Sequence, residues 1–323
     1  MRLAALLCLA VLASGCAGGG TDRPNEDATL LLDFTPNAVH AGIYLATERD
    51  YDGAEGVNLK VRAPGASTDA LKLLEAGRVD MAILDIHDLA LARDTAPTHP
   101  DIVGVMAVVQ QPLASLLAQP GIRRPRDLEG KRAGVSGLPS DVAVLRSIVQ
   151  GDGGDPDKVK TTTIGFQAVK ALLAKRVDAA TAFWNVEGVA LKAERPATQE
   201  FRVDQFGAPA YPELVLCATR RTLDEQRPVL QATVRALQRG YNETQVDPES
   251  ALAALQHANP DLDSQAAAAQ LDAVSPAFTA GADVYGQLRE DVLQKWAAWD
   301  LEFGIVKKPI DVGASFDLGL AQP

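Results

Sequence analysis

"LLLDFTPNAVHAGIYLATERDYDGAEG", Leu30 to Gly56, opens as an apolar strand and breaks into a polar cluster at Asp33, Phe34, Thr35, Pro36, Asn37 and His40. It then recovers an apolar period that reads as a helix and stops at a Gly-containing turn. A strand that runs into a polar turn and then a helix is the first half of a βαβ unit. The next segments repeat the theme. "VNLKVRAP" reads as a strand with alternating faces, "STDALKLLEAGR" as a helix that Ser67 or Thr68 caps and Gly77 stops, and "VDMAILDI" as a strand. "HDLALARD" continues as a helix and "IVGVMAVVQQ" as a strand. Strands alternating with helices of this length predict a mostly parallel sheet.

The same grammar recurs downstream. "LASLLAQ" and "GKRAGVSG" read as strands, "SDVAVLRSIVQGDG" as a helix capped by Ser140 or Asp141, "VKTTTIG" as a strand, "FQAVKALLAKR" as a helix and "VDAATAFW" as a strand. Ala70–Leu84 and Ala168–Phe183 echo each other, each a helix passing through Arg-Val-Asp straight into a strand. Two similarly built α/β lobes follow from that echo. After Tyr211 comes one more strand, "LVLCAT", and then a largely helical C-terminal part.

A chain of 323 residues with 47% apolar residues can bury a large core, and its net charge of −11 without a Lys/Arg block argues against nucleic acid. Arg2, the apolar run Leu3 to Ala13 and then Ser14-Gly15-Cys16 have the layout of a secretory signal, too short to span a bilayer. "AGGGTDRPNED", Ala17 to Asp27, reads as a flexible tether. Of the three cysteines, Cys8 lies within the signal and Cys16 follows it. Cys217 sits in an apolar strand as a structural thiol without a disulfide partner.

Several segments resemble a known family. "DFTPNAVHAGIYLATERDYDGAEGVNLKV", "LLEAGRVDMAILDIHDLALAR", "DLEGKRAGVSG" and "VDAATAFWNVEGVAL" resemble, in order and spacing, the solute-binding lipoproteins of ABC importers for thiamine pyrimidine precursors and for nitrate, sulfonate and taurine. "LASGC" likewise resembles a bacterial lipobox, with Ala13 where Leu is usual. The resemblance implies a two-lobed type II periplasmic-binding-protein fold, each lobe a mixed, mostly parallel sheet flanked by helices. It implies a signal peptide over 1–15, a tether lipidated at Cys16 over 16–27, one lobe from 28–111 plus 212–323 and the other from 112–211. It also implies an extracytoplasmic monomer, membrane-anchored through Cys16, that serves an ABC permease and its ATPase, with no enzymatic activity and no cofactor. A fungal branch of the family makes the thiamine pyrimidine and carries a "CCCFC" segment, which this sequence lacks.

In open α/β sheets solutes collect beyond the C-terminal ends of strands. The polar groups at those ends are Asp33, Phe34, Asn37 and His40; Ser67; Asp85 and His87; Gln110; Ser136 and Ser140; and Trp184, Asn185 and Glu187, with Tyr211 at the return crossing. These are the expected ligand-binding residues. Asn37, Ser67, Asp85 and His87 also read as helix caps, His40 as a packed core histidine, and Trp184 as core. Asp88 reads as a first-turn partner of the helix dipole. Trp184 offers a flat face and an N–H, Asn185 paired donor and acceptor groups, and Glu187 an acceptor for an exocyclic amine, which together suit an aminopyrimidine. Aliphatic sulfonate, nitrate, taurine and riboflavin remain alternative solutes. The pyrimidine branch usually has Trp where Phe34 stands. No spacing describes a P-loop, a zinc site or a nucleophile elbow.

Overall fold

The structure, a computed structural model, describes residues 25–65, 69–95 and 101–322. The signal segment, Cys16, most of the tether, and the candidate caps Ser67 and Thr68 lie outside the described residues.

Two five-stranded sheets carry the chain. The first holds β1 (Glu26–Leu31), β2 (Val57–Arg62), β3 (Met81–Asp85), β4 (Ile102–Ala107) and β10 (Leu214–Thr219), in the order β2-β1-β3-β10-β4. The second holds β5 (Ala114–Ala118), β6 (Arg132–Val135), β7 (Lys160–Thr163), β8 (Ala179–Phe183) and β9 (Gln199–Arg202), in the order β7-β6-β8-β5-β9. The chain therefore passes to the second sheet between Ala107 and Ala114 and returns between Arg202 and Leu214. In each sheet four strands run in one direction, and the fifth, β10 in the first sheet and β5 in the second, runs antiparallel to both its neighbours. β1 begins at Glu26, ahead of the apolar run at Leu30, with Glu26 and Asp27 paired to Val57 and Asn58.

The Arg-Val-Asp echo has a structural cause. β3 and β8 are the middle strands of their sheets. Asp80, just before β3, accepts the Thr29 N–H of β1 at 2.8 Å. Asp178, just before β8, accepts the Arg132 N–H of β6 at 2.9 Å. Val79 and Val177 are buried beside them. One short motif thus clamps the middle strand to its parallel neighbour in both lobes. The turn before it needs left-handed backbone, supplied by Gly77 at φ +61° and by Lys175 at φ 55°.

Three elements differ from expectation. β9 did not stand out, because "QEFR" buries only Phe201 fully and reads as a polar edge. The largely helical C-terminal part, whose apolar period runs on from Leu223, opens with two helices, Arg220–Glu225 and Arg227–Val246, with Pro228 in the first turn of the second. The helix Pro139–Gly151 starts on Pro139 without a side-chain cap, so neither Ser140 nor Asp141 caps it.

The C-terminal helices pack on the first sheet. Helix Arg227–Val246 lies against helix Ala41–Glu48, and two glycines set their separation. A Cβ on Gly240 would run into the Gly42 carbonyl oxygen, and one on Gly42 into the ring of Tyr241. Tyr241 stacks on Tyr285 with centroids 4.3 Å apart, and its hydroxyl donates to the Val39 carbonyl at 2.8 Å. Because this contact forms between backbones, it cannot relax by rotating a side chain. Gly240→Ala is expected to lower stability by about 1–3 kcal/mol. A urea unfolding midpoint equal to that of the parent would refute the close contact.

Candidate functional site

Between the two sheets lies one cavity of about 880 Å³, part of it open to solvent. Its walls are strand ends and the turns after them. From the first lobe come Asp33, Phe34 and Asn37 after β1, Asp85 at the end of β3, and Asp88 on the helix Ile86–Asp94. The second lobe contributes Ser136 and Leu138 after β6, Asp141 on the next helix, Phe166 after β7, Thr181 and Phe183 of β8, and Glu187 after it. A side chamber of about 270 Å³ shares Asp85, Asp141 and Thr181 and adds Ser115 and Ser140.

Asp33 and Asn37 owe their positions to His40. The His40 Nδ1 accepts the Asn37 backbone N–H at 3.2 Å, which leaves the proton on Nε2 to be donated to Asp33 Oδ1 at 2.9 Å. The Asn37 side chain accepts the Val39 N–H at 2.9 Å and donates to the Thr35 carbonyl at 3.0 Å. Asn37 is therefore a true cap that also faces the cavity, while His40 is fully buried behind it and does not line it.

The mouth is aromatic. Phe34 of one lobe meets Phe166 of the other edge to face, with centroids 4.3 Å apart. Phe183 lines the wall beside Glu187.

Other candidates sit elsewhere. The Trp184 N–H donates to the Pro112 carbonyl at 3.0 Å, and the Arg202 guanidinium covers its ring at 3.9 Å. Trp184 thus braces the crossing and does not line the cavity, while Phe183 does. The reason is local: a π-helical turn begins at Trp184, and it carries the ring out of the strand's cavity face. Asn185 in the same turn is fully buried, with neither amide atom partnered. Gln110 donates to the Gln287 carbonyl at 2.9 Å. Tyr211 is fully buried, edge-on to the His87 ring at 5.0 Å. None of Trp184, Asn185, Gln110, Tyr211 or His87 lines the cavity.

His87 belongs to a buried charge cluster beneath the cavity floor. Its Nδ1 is 3.0 Å from Asp300 Oδ2. Burial alone would lower its pKa, but the Asp300 carboxylate, with Asp85 and Glu213, lifts it to about 10. Asp85, His87 and Glu213 each bring one donor atom within 4.8 Å of the others, a spacing that a metal ion can bridge. The raised pKa of His87 favours a positive charge there that would offset these carboxylates, and the Trp296 indole N–H also lies 3.2 Å from His87 Nδ1.

Electrostatics distinguish the cavity. Five carboxylates line it, Asp33, Asp85, Asp88, Asp141 and Glu187, and none of the described lining residues is Lys, Arg or His. Burial, and then Glu213, pushes Asp85 well up; burial, and then Asp85, does the same for Asp88. Burial also raises Asp141, against hydrogen bonds from Ser136 and Thr181 that lower it. Glu187 is pushed up to about 7, first by burial and further by Asp141 and Asp33.

Asp88, Asp141, Phe166 and Phe183 were not expected as wall residues. A period of two in β8 puts Thr181 and Phe183 on one face and was the available signal for Phe183.

With this geometry in place, comparison with known proteins is informative. The family model described as "NMT1/THI5 like" matches residues 37–251. The chain belongs to the NMT1/THI5-like family. A formylaminopyrimidine-binding protein of Halalkalibacterium halodurans is 32% identical over 253 residues, covering 77% of this chain and 75% of that protein. A 4-amino-5-hydroxymethyl-2-methylpyrimidine phosphate synthase of Legionella pneumophila is 27% identical, with 72% and 74% covered. The alkanesulfonate-binding protein SsuA of Xanthomonas axonopodis pv. citri, solved with MOPS bound, superposes with a TM-score of 0.72 at 16% identity, covering 91% of this chain and 99% of that one. The nitrate-binding protein NrtA of Synechocystis superposes with the same TM-score at 10% identity, covering 92% and 87%. This member of the NMT1/THI5-like family therefore has the two-lobed periplasmic-binding-protein fold.

The raised carboxylates set a pH dependence. The Glu187 carboxyl ionises near its ordinary value of 4.5 when unfolded and at about 7 when folded. Between those values the native state holds a proton that the unfolded state has lost, so stability falls as pH rises. Above the ordinary 6.5 of an unfolded histidine, His87, raised to about 10, adds a loss of the same sign. The melting temperature of the solute-free protein is expected to drop between about pH 5 and about pH 8, with Glu187 contributing up to about 3 kcal/mol. Glu187→Gln should flatten that slope, and an unchanged slope would remove Glu187 as its source.

Proposed function

We propose that the protein is the extracytoplasmic solute-binding subunit of an ABC importer and that its solute is a small aminopyrimidine, a precursor of the thiamine pyrimidine. The observation that carries this reading is the cavity itself: aromatic at its mouth, rimmed by carboxylates, and without a cation among its described lining residues. An aminopyrimidine has two flat faces for Phe34, Phe166 and Phe183 and amine hydrogens for Glu187 and Asp33. Glu187, with a pKa near 7, can share a proton with a ring nitrogen. The name of the relative in Halalkalibacterium halodurans points the same way.

Anionic solutes fit poorly. A sulfonate or nitrate needs N–H donors or cations, and these walls would repel it. Synthesis of the pyrimidine, the activity named for the Legionella pneumophila relative, is also disfavoured. The described walls offer no Lys for a Schiff base, no His and no Cys. Cys217 is sealed in β10, with its thiol pushed far up by burial.

Capture follows from the geometry. Solute enters while the lobes are apart, the rings of Phe34 and Phe166 close the mouth, and the closed form docks on a permease. Lipidation at Cys16 would hold the protein at the membrane through the tether that follows it. Gln110, Trp184, Asn185, His87 and Tyr211 support the walls from behind, whereas Asp33, Phe34, Asn37, Asp85, Ser136, Ser140 and Glu187 face the solute.

Fluorescence titration tests the reading. The hydroxymethyl aminopyrimidine is expected to bind, while taurine, nitrate and riboflavin are not. Removing the charged acceptor with Glu187→Gln should weaken binding about tenfold or more. Saturable binding of taurine with none of the pyrimidine would reject the assignment. Pyridoxal phosphate bound to the purified protein would move it to the synthases.

A further inference from the structure

Glu187 and Asp33 suffice to hold the ring of an aminopyrimidine, yet the cavity carries three more acidic groups farther in. Asp85 ends β3, Asp88 stands in the first turn of the helix Ile86–Asp94, and Asp141 comes from the helix Pro139–Gly151 of the other lobe. Those two helices pack against each other across the lobe boundary. Asp88 lines the cavity yet is only 6% exposed; its Oδ1 is buried without a hydrogen-bond partner, and the Ser140 hydroxyl hydrogen-bonds the carboxyl group. Asp141 takes the N–H and O–H of Ser136. His87, whose raised pKa favours the charged form, pairs with Asp300 and does not line the cavity. Among the described wall residues only neutral donors, those of Ser136, Ser140 and Thr181, reach Asp88 and Asp141, and no cation lines the cavity beside them.

We infer that the solute carries an ammonium on a short arm of its ring, seated between Asp88 of one lobe and Asp141 of the other, with Asp85 behind it. This rests on the aminopyrimidine reading and narrows it to the ring with an aminomethyl arm, over the neutral hydroxymethyl and formylaminomethyl forms. The ammonium gives Asp88 Oδ1 its missing partner. It also favours the ionised form of both carboxyls and bridges the two lobes, so closure and charge recognition become one event. A hydroxyl offers a single hydrogen and no charge, and a formamide brings a carbonyl oxygen against carboxylates.

The test is a titration of the full chain with the three forms of the ring at about neutral pH, where the aminomethyl arm is charged. The aminomethylpyrimidine is expected to bind about tenfold or more tightly than the hydroxymethyl compound, the difference between a charged and a neutral hydrogen bond. In Asp88→Asn and Asp141→Asn that ratio should shrink towards one. Equal or tighter binding of the hydroxymethyl or formyl form by the parent protein overturns the inference and leaves the aminopyrimidine assignment standing. A ratio that survives in both variants overturns the placement of the arm. Binding of none of the three overturns both readings together. The comparison in the parent protein decides the matter even if a variant fails to fold.

Discussion

The carboxylate of Glu213 is the constraint on which the rest depends. It is fully buried at the return crossing, and it accepts the backbone N–H groups of Leu113 and Ala114 from the outward crossing, the latter at 2.8 Å. Its own carbonyl takes the Ile86 N–H at 2.9 Å, at the end of β3. One residue thus ties both connections between the lobes to the strand that delivers Asp85 into the cavity. A charge buried so deeply would be costly alone. Burial raises the Glu213 pKa, while His87 and the Leu113 and Ala114 N–H groups pull it back towards the charged form. The hinge region and the cavity floor share this cluster, so a change in charge at the floor reaches the hinge without crossing any distance.

The architecture was legible because apolar runs and their stops are local facts. The strand-helix alternation, the two lobes and the Arg-Val-Asp echo all lie within short windows. β9 escaped because an edge strand with one fully buried side chain has no apolar run to detect. The break at Gln226 escaped because the apolar period continues through it and only the proline in the following turn marks it.

The site was legible in part, for a physical reason. Strand ends announce themselves, and Asp33, Asn37, Asp85 and Glu187 were found there. Sequence does not tell which way a side chain leaves a strand end. Trp184 and Phe183 are neighbours, and one irregular turn decides between them. His40 was expected near a solute and instead aims Asp33. Asp88 and Asp141 looked like helix-end residues; their meeting depends on two helices from different lobes. Glu213 lies more than a hundred residues from His87 along the chain, and no window contains both.

The placement of β10 has a consequence in time. The second sheet is complete within Ala114–Arg202, but the first lacks its bridge between β3 and β4 until Leu214–Thr219 has been delivered. A chain threaded from its N-terminus can therefore close the inserted lobe while the strands that precede it still wait. β3 and β4, fully apolar along most of their length, stay unpaired with each other through that interval. The lobe that carries both termini is the last to form, and a folding defect that strikes only late should leave a structured middle flanked by two sticky ends.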